Sequence, residues 1–128
     1  MWRRLLRSKV FIGLSVLGTV GVGTPVVKSV ESSVCSSRDK GARVILACRD
    51  MDKCQKVRKE IVLSTRNRHV VCRQLDLSSF QSIRQFAANI VASEPAVHLL
   101  INNAGVMRCP KSVTKEGIEM QIGVNHFG

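Results

Sequence analysis

From residue 41 onward the apolar residues fall into two alternating patterns, and the alternation predicts an α/β fold. Val44-Ile45-Leu46-Ala47-Cys48 is a short continuous apolar run, as expected of a strand buried on both faces of a parallel sheet. Met51, Cys54, Val57 and Ile61 follow at three-to-four spacing, with Lys53, Lys56 and Lys59 between them. That spacing predicts an amphipathic helix with its lysines in water. His69 to Leu75 reads as a second strand. Ser78 or Ser79 can cap the next helix, whose Ile83, Phe86, Ala87, Ile90 and Val91 form an apolar stripe ending near Pro95. Val97-His98-Leu99-Leu100-Ile101 is a third strand, closed by the Asn102-Asn103-Ala104-Gly105 turn. Strand, helix, strand, helix, strand predicts a parallel sheet joined by right-handed crossovers.

The first forty residues follow a different pattern. Met1 to Lys9 is basic, and Val10 to Val27 carries no charge over eighteen residues, just long enough for a membrane-spanning helix. Gly13, Gly18, Gly21, Gly23 and Pro25 weaken a soluble helix but are tolerated in a bilayer. A membrane anchor is the first expectation; a cleaved secretory signal and an Arg-rich mitochondrial presequence are the alternatives. Gly18-Thr-Val-Gly21-Val-Gly23 has the look of a nucleotide loop. Such a loop must follow a buried strand and open a helix, and the four valines among serines that come next make a poor helix. Ser29 to Lys40 is Ser-rich and reads as a linker. The organisation is thus residues 1–28 as basic N-terminus and apolar segment, 29–40 as linker, and 41–128 as a folded domain.

Charge, cysteines and histidines narrow the function classes. The 128-residue chain has a net charge of +11, too little chain for a full two-layer enzyme core and enough charge to raise a nucleic-acid reading. Aromatic residues make up only 4%, with no Tyr, so the stacking platform such binding needs is missing. Five cysteines (Cys35, Cys48, Cys54, Cys72, Cys109) form no C-x-x-C pair, and His69, His98 and His126 stand far apart. The expectation is reduced structural thiols and neither a disulfide scaffold nor a metal site.

Ligands of parallel sheets bind beyond the carboxyl ends of the strands, which directs attention to Arg49, Asp76 and the Asn102 to Gly105 turn. Singly, these are an exposed cation, a capping acid and a strand stop. At the ends of three successive strands they make a ligand rim.

Four segments make the pattern recognisable: Gly41-Ala-Arg-Val-Ile-Leu-Ala-Cys-Arg-Asp50, Leu75-Asp76-Leu77, Leu100-Ile-Asn-Asn-Ala-Gly-Val-Met-Arg-Cys-Pro110 and Gly123-Val-Asn-His126. In this order they closely resemble the short-chain dehydrogenase/reductase family, nearest to its retinol dehydrogenases, over residues 41–128. The resemblance implies a partial Rossmann-like parallel sheet with flanking helices, behind an N-terminal hydrophobic helix. It also implies interconversion of retinol and retinal, or of a similar apolar alcohol and carbonyl. The setting it implies is a membrane, of the mitochondrial inner membrane or the endoplasmic reticulum, reached through residues 10–27. NAD-preferring members carry an acid where Cys48 stands, and Arg49 beside it suits a 2′-phosphate, so NADP(H) is the implied cofactor. Asp76, with Leu77, resembles the acceptor for the adenine amino group. Asn102, Asn103, Ala104 and Gly105 resemble the turn lining the cofactor ribose, and Asn125 the asparagine that supports the catalytic lysine through water.

The departures matter equally. The family's Gly-rich loop should precede Gly41, yet residues 29–40 contain no glycine, so the first strand and the pyrophosphate cradle are expected to be missing. The Ser, and the Tyr four residues before a Lys, that perform proton transfer in the family have no counterpart in a chain without Tyr. Gly128 falls within the helix that carries Asn125, and the resemblance implies that the catalytic half is missing. The expectation is a truncated form, weak or absent in cofactor binding and inactive alone. The alternative is a non-catalytic, membrane-anchored isoform that acts by binding or hetero-association.

Overall fold

A computed structural model of the chain describes residues 10–15 and 42–128. In order, the elements are β1 (Val10–Ser15), β2 (Arg43–Cys48), α1 (Met51–Thr65), β3 (Val70–Gln74), α2 (Phe80–Ser93), β4 (Leu99–Ile101) and a short α3 (Met120–Ile122) that runs into a π-helical turn (Gly123–Phe127). Both long helices begin where a side chain can satisfy a free amide. Asp50 accepts from the Lys53 N–H at 3.0 Å, and Ser79 caps α2 through the Ser82 N–H. Helix α1 ends at Arg66 in the left-handed region (φ 58°). The buried Asn67 then turns the chain, donating to the Ala42 carbonyl at 2.9 Å and accepting from the His69 N–H at 2.9 Å.

The four strands form one parallel sheet in the order β3-β2-β1-β4. Strand β1 pairs on one side with β2, Val10 beside Arg43 and Ser15 beside Cys48, and on the other with β4, Phe11 beside Leu99 and Gly13 beside Ile101. The chain therefore steps outward from β2 to β3, then crosses back past β1 to β4. Right-handed crossovers run in opposite directions place their helices on opposite faces, and the core is divided accordingly. On one face Cys54 and Ile61 of α1 pack with Val44, Leu46, Cys48 and Val70. On the other Ile90 of α2 packs with Ile45, Ala47, Leu75, Leu77 and Val124.

Three sequence expectations change. Residues 10–15, expected to open a hydrophobic helix, are a strand, and no helix among the described residues is long and apolar enough to cross a membrane. The first strand, expected to be missing, is likewise corrected, because β1 fills the centre of the sheet. The physical reason is shared: Val10, Phe11 and Ile12 favour extended backbone, and a strand between β2 and β4 satisfies polar groups on both. Residues 16–27 of the expected anchor, the Gly18 to Gly23 stretch and the 29–40 linker lie outside the described residues. The expectation of reduced thiols is corrected at one pair, since Cys54 of α1 and Cys72 of β3 form a disulfide with Cα atoms 6.2 Å apart. Their separation of 18 residues gave no hint that the inward faces of these two elements meet there.

Candidate functional site

The strand ends that the sequence singles out share one edge of the sheet. Cys48 ends β2 beside Gln74 of β3, and the Leu75 N–H donates to the Cys48 carbonyl at 3.0 Å. Arg49 and Asp76 therefore leave adjacent strands at the same level. Asn102 follows Ile101, which pairs with Gly13 of β1, itself paired with Leu46 of β2. The end of β1, at Ser15, lies between these two groups.

At the β2 end the chemistry is neutral, then cationic. Cys48 is buried, and burial, helped by the charge of Asp50, pushes its thiol up to about 11. Arg49 is exposed and makes no hydrogen bond or ion pair among the described residues. Asp50 is committed to the helix cap, and its carboxyl is held below the usual carboxylate range chiefly by the Lys53 backbone N–H. An anion arriving here meets an exposed guanidinium, and among the described residues no buried carboxylate competes for it.

Beyond β3, one carboxylate oxygen of Asp76 accepts from the Ser78 N–H at 3.0 Å and the Ser78 hydroxyl at 2.6 Å. The other accepts no bond from the described residues. The Asp76 N–H is spent on the Ser82 hydroxyl at 3.0 Å. Leu77, implied as a cofactor contact, has its side chain buried in the α2 core, which leaves only its backbone to a ligand.

Asn102, Asn103 and Gly105 are exposed and Ala104 half-buried. The following residue is gripped from a distance in sequence: Asn125 Oδ1 accepts from the Val106 N–H at 2.7 Å and Asn125 Nδ2 donates to the Val106 carbonyl at 2.8 Å. A Cβ on Gly105 would lie 3.2 Å from Asn125 Oδ1. Smallness at Gly105 thus serves the approach of Asn125. Sequence reasoning placed Asn125 in the site and missed this clamp, because its partner is backbone and carries no signal in a side chain.

A second missed feature is the 112–119 turn. Glu116 Oε1 accepts from the Phe80 N–H at 2.7 Å, and the Lys115 N–H donates to the Ser78 carbonyl at 3.1 Å. The turn closes at Gly117 with φ 81°, and this glycine was the available signal. It braces the start of α2 beside Asp76.

The family model described as short chain dehydrogenase matches residues 31–128. The chain belongs to the short-chain dehydrogenase family. Its curated relatives include human retinol dehydrogenase 13, 57% identical over 89 residues, which are 70% of this chain and 27% of the relative. Human retinol dehydrogenase 11 is 49% identical over 113 residues, 88% of this chain and 35% of the relative. The chain thus spans about a quarter to a third of these short-chain dehydrogenases. A metagenomic short-chain oxidoreductase solved in complex with NADP superposes with a TM-score of 0.52 at 29% identity, over 74% of this chain and 39% of that one.

Proposed function

We propose that this chain supplies the adenosine side of an NADP(H)-dependent oxidoreductase that interconverts a primary alcohol and an aldehyde on a retinoid or similar apolar molecule. The carrying observation is the pair at the end of β2, a buried neutral Cys48 followed by an exposed Arg49 that has no ion-pair partner among the described residues. A guanidinium suits a 2′-phosphate, and the absence of an acid at Cys48 removes the usual acceptor for a free 2′-hydroxyl. Asp76 retains a carboxylate oxygen for the adenine amino group, and the Asn102 to Gly105 turn, held by Asn125, offers backbone to the ribose. The names of the retinol dehydrogenase relatives and the NADP in the metagenomic relative support the same reading. When bound, the cofactor supplies the hydride. The chain has no Tyr, so no phenol of its own can pass the accompanying proton, and turnover by this chain alone is not expected.

The test is a titration with 2′,5′-ADP and 5′-AMP, followed by backbone NMR shifts. The expected result is millimolar binding of 2′,5′-ADP that perturbs Arg49 and Asp76 and weakens about 10-fold in Arg49→Ala, as for one charge-assisted phosphate contact. Equal responses to the two nucleotides would overturn the NADP assignment. NADPH itself is expected to bind no tighter than millimolar. Micromolar affinity would mean that another segment, such as the glycines at 18, 21 and 23 that follow β1, replaces the cradle.

One observation favours a second reading, association without catalysis. Leu99 and Leu100 of the edge strand β4 remain 42% and 53% exposed, an apolar strand edge suited to pairing.

A further inference from the structure

The apolar layer between α1 and the sheet holds three cysteines, Cys48 of β2, Cys54 of α1 and the half-buried Cys72 of β3. Two of them, Cys54 and Cys72, are joined. Of the fifteen residues of α1 only Cys54 and Ile61 are buried. Ile61 and the Arg58 Nε donation to the Val70 carbonyl at 2.6 Å hold the second half of the helix. In the first half Cys54 is the single buried anchor, and that half begins at the Arg49-Asp50 corner. The disulfide therefore adds a covalent tie between the first half of α1, where the cap is on the surface and Val57 is only partly buried, and the strand that leads to Asp76.

We propose that Cys54 and Cys72 form a reversible redox latch, closed by a small-molecule disulfide of the glutathione class, that fixes the N-terminal half of α1 on β3. The half-buried Cys72 is the entry point. Its thiolate attacks the small disulfide, releasing one small thiolate and leaving a mixed disulfide on Cys72. The Cys54 sulfur then displaces the second small thiolate. Two protein thiols and one small disulfide become one protein disulfide and two small thiols, and the two protons lost from the protein are taken up by the departing thiolates. Cys48 stays out of the exchange for a geometric reason: it lies two residues along β2 from Leu46, the register partner of Cys72, whereas Cys54 meets Cys72 directly across the layer. Cys109 lies in the loop after β4, away from this layer. The latch is independent of the cofactor assignment, since it concerns how α1 is held.

The experiment uses the full chain equilibrated with either oxidised glutathione or dithiothreitol, then alkylated, digested and mapped by mass spectrometry. The expected product of oxidation is a peptide pair joined through Cys54 and Cys72, which dithiothreitol removes. In parallel, hydrogen exchange of amides 53–58 is expected to speed up roughly 100-fold on reduction, the scale of loop-closure entropy for a cross-link of this span, with amides of α2 less affected. Cys109→Ser should keep both responses. Cys72→Ala should abolish the cross-link and exchange like the reduced wild type; because it is compared with reduced wild type, a folding failure in the variant leaves the wild-type arms decisive. Cross-links through Cys48, mixed disulfides alone, or α1 exchange that ignores the redox state would each overturn the proposal.

Discussion

Asn125 shows how one side chain can organise a loop it does not belong to. Both ends of its amide are occupied by the Val106 backbone, nineteen residues away, so the turn before Val106 is tied to the π-helical segment. Each such bond is worth roughly 0.5–1.5 kcal/mol net. Asn125→Ala is therefore expected to lower stability by about 1–2 kcal/mol in urea unfolding. Asn125→Asp keeps the acceptor and loses the donor, and should fall between the two. Cys48 makes the complementary case, a group whose burial alters its chemistry. Its folded-state value of about 11 lies above the ordinary 9.0. The neutral thiol's contribution to stability is thus complete below about pH 9 and is lost as the pH rises through about 11. Wild-type stability is expected to decline across that interval more steeply than that of Cys48→Ala. Iodoacetamide at pH 8 should modify Cys48 only on unfolding.

At the scale of elements, the decisive piece is β1. Paired on both sides, Ile12 faces Ile45 across one ladder and Leu100 across the other. A proline there removes a ladder bond at the centre of the sheet. Ile12→Pro is expected to abolish the cooperative unfolding transition followed by circular dichroism. If residues 10–27 formed a helix apart from the domain, that transition would be unchanged. β1 was hidden in the sequence because its six residues sit inside a longer uncharged run behind a basic flank, and run length outweighed local β-propensity. The other strands and helices were legible. Val44 to Cys48, the Met51 to Ile61 spacing and the Ser79 cap each carry a short-range signal that burial reinforces. Arg49, Asp76 and Asn102 to Gly105 were legible for a topological reason, since residues just past parallel strands share an edge. The Cys54–Cys72 bond, the Asn125 clamp and the brace from Glu116 to Phe80 were not. Each depends on how two elements face one another, which spacing along the chain does not encode.

Across the whole molecule, the two edges of the sheet differ in kind. On the β3 side, exposed Arg73 and Gln74 put charge and polarity on the edge, a common guard against strand addition. On the β4 side, Leu99 and Leu100 project to opposite faces of the strand and both stay about half exposed, with Val97 and Met107 exposed on either side. Within β4 itself no residue is charged or polar, and its outward backbone groups have no partner strand among the described residues. Self-association through β4 is the expected outcome, because pairing would satisfy the backbone and cover both leucines together. Sedimentation velocity is expected to show a mass that rises with concentration, and Leu100→Lys should shift it toward the monomer. Leu63→Lys supplies the comparison, for Leu63 is 80% exposed on α1, which packs on β2 and β3 at the other side of the sheet from β4. A general hydrophobic stickiness would respond to both substitutions alike; pairing at the β4 edge responds to Leu100→Lys alone.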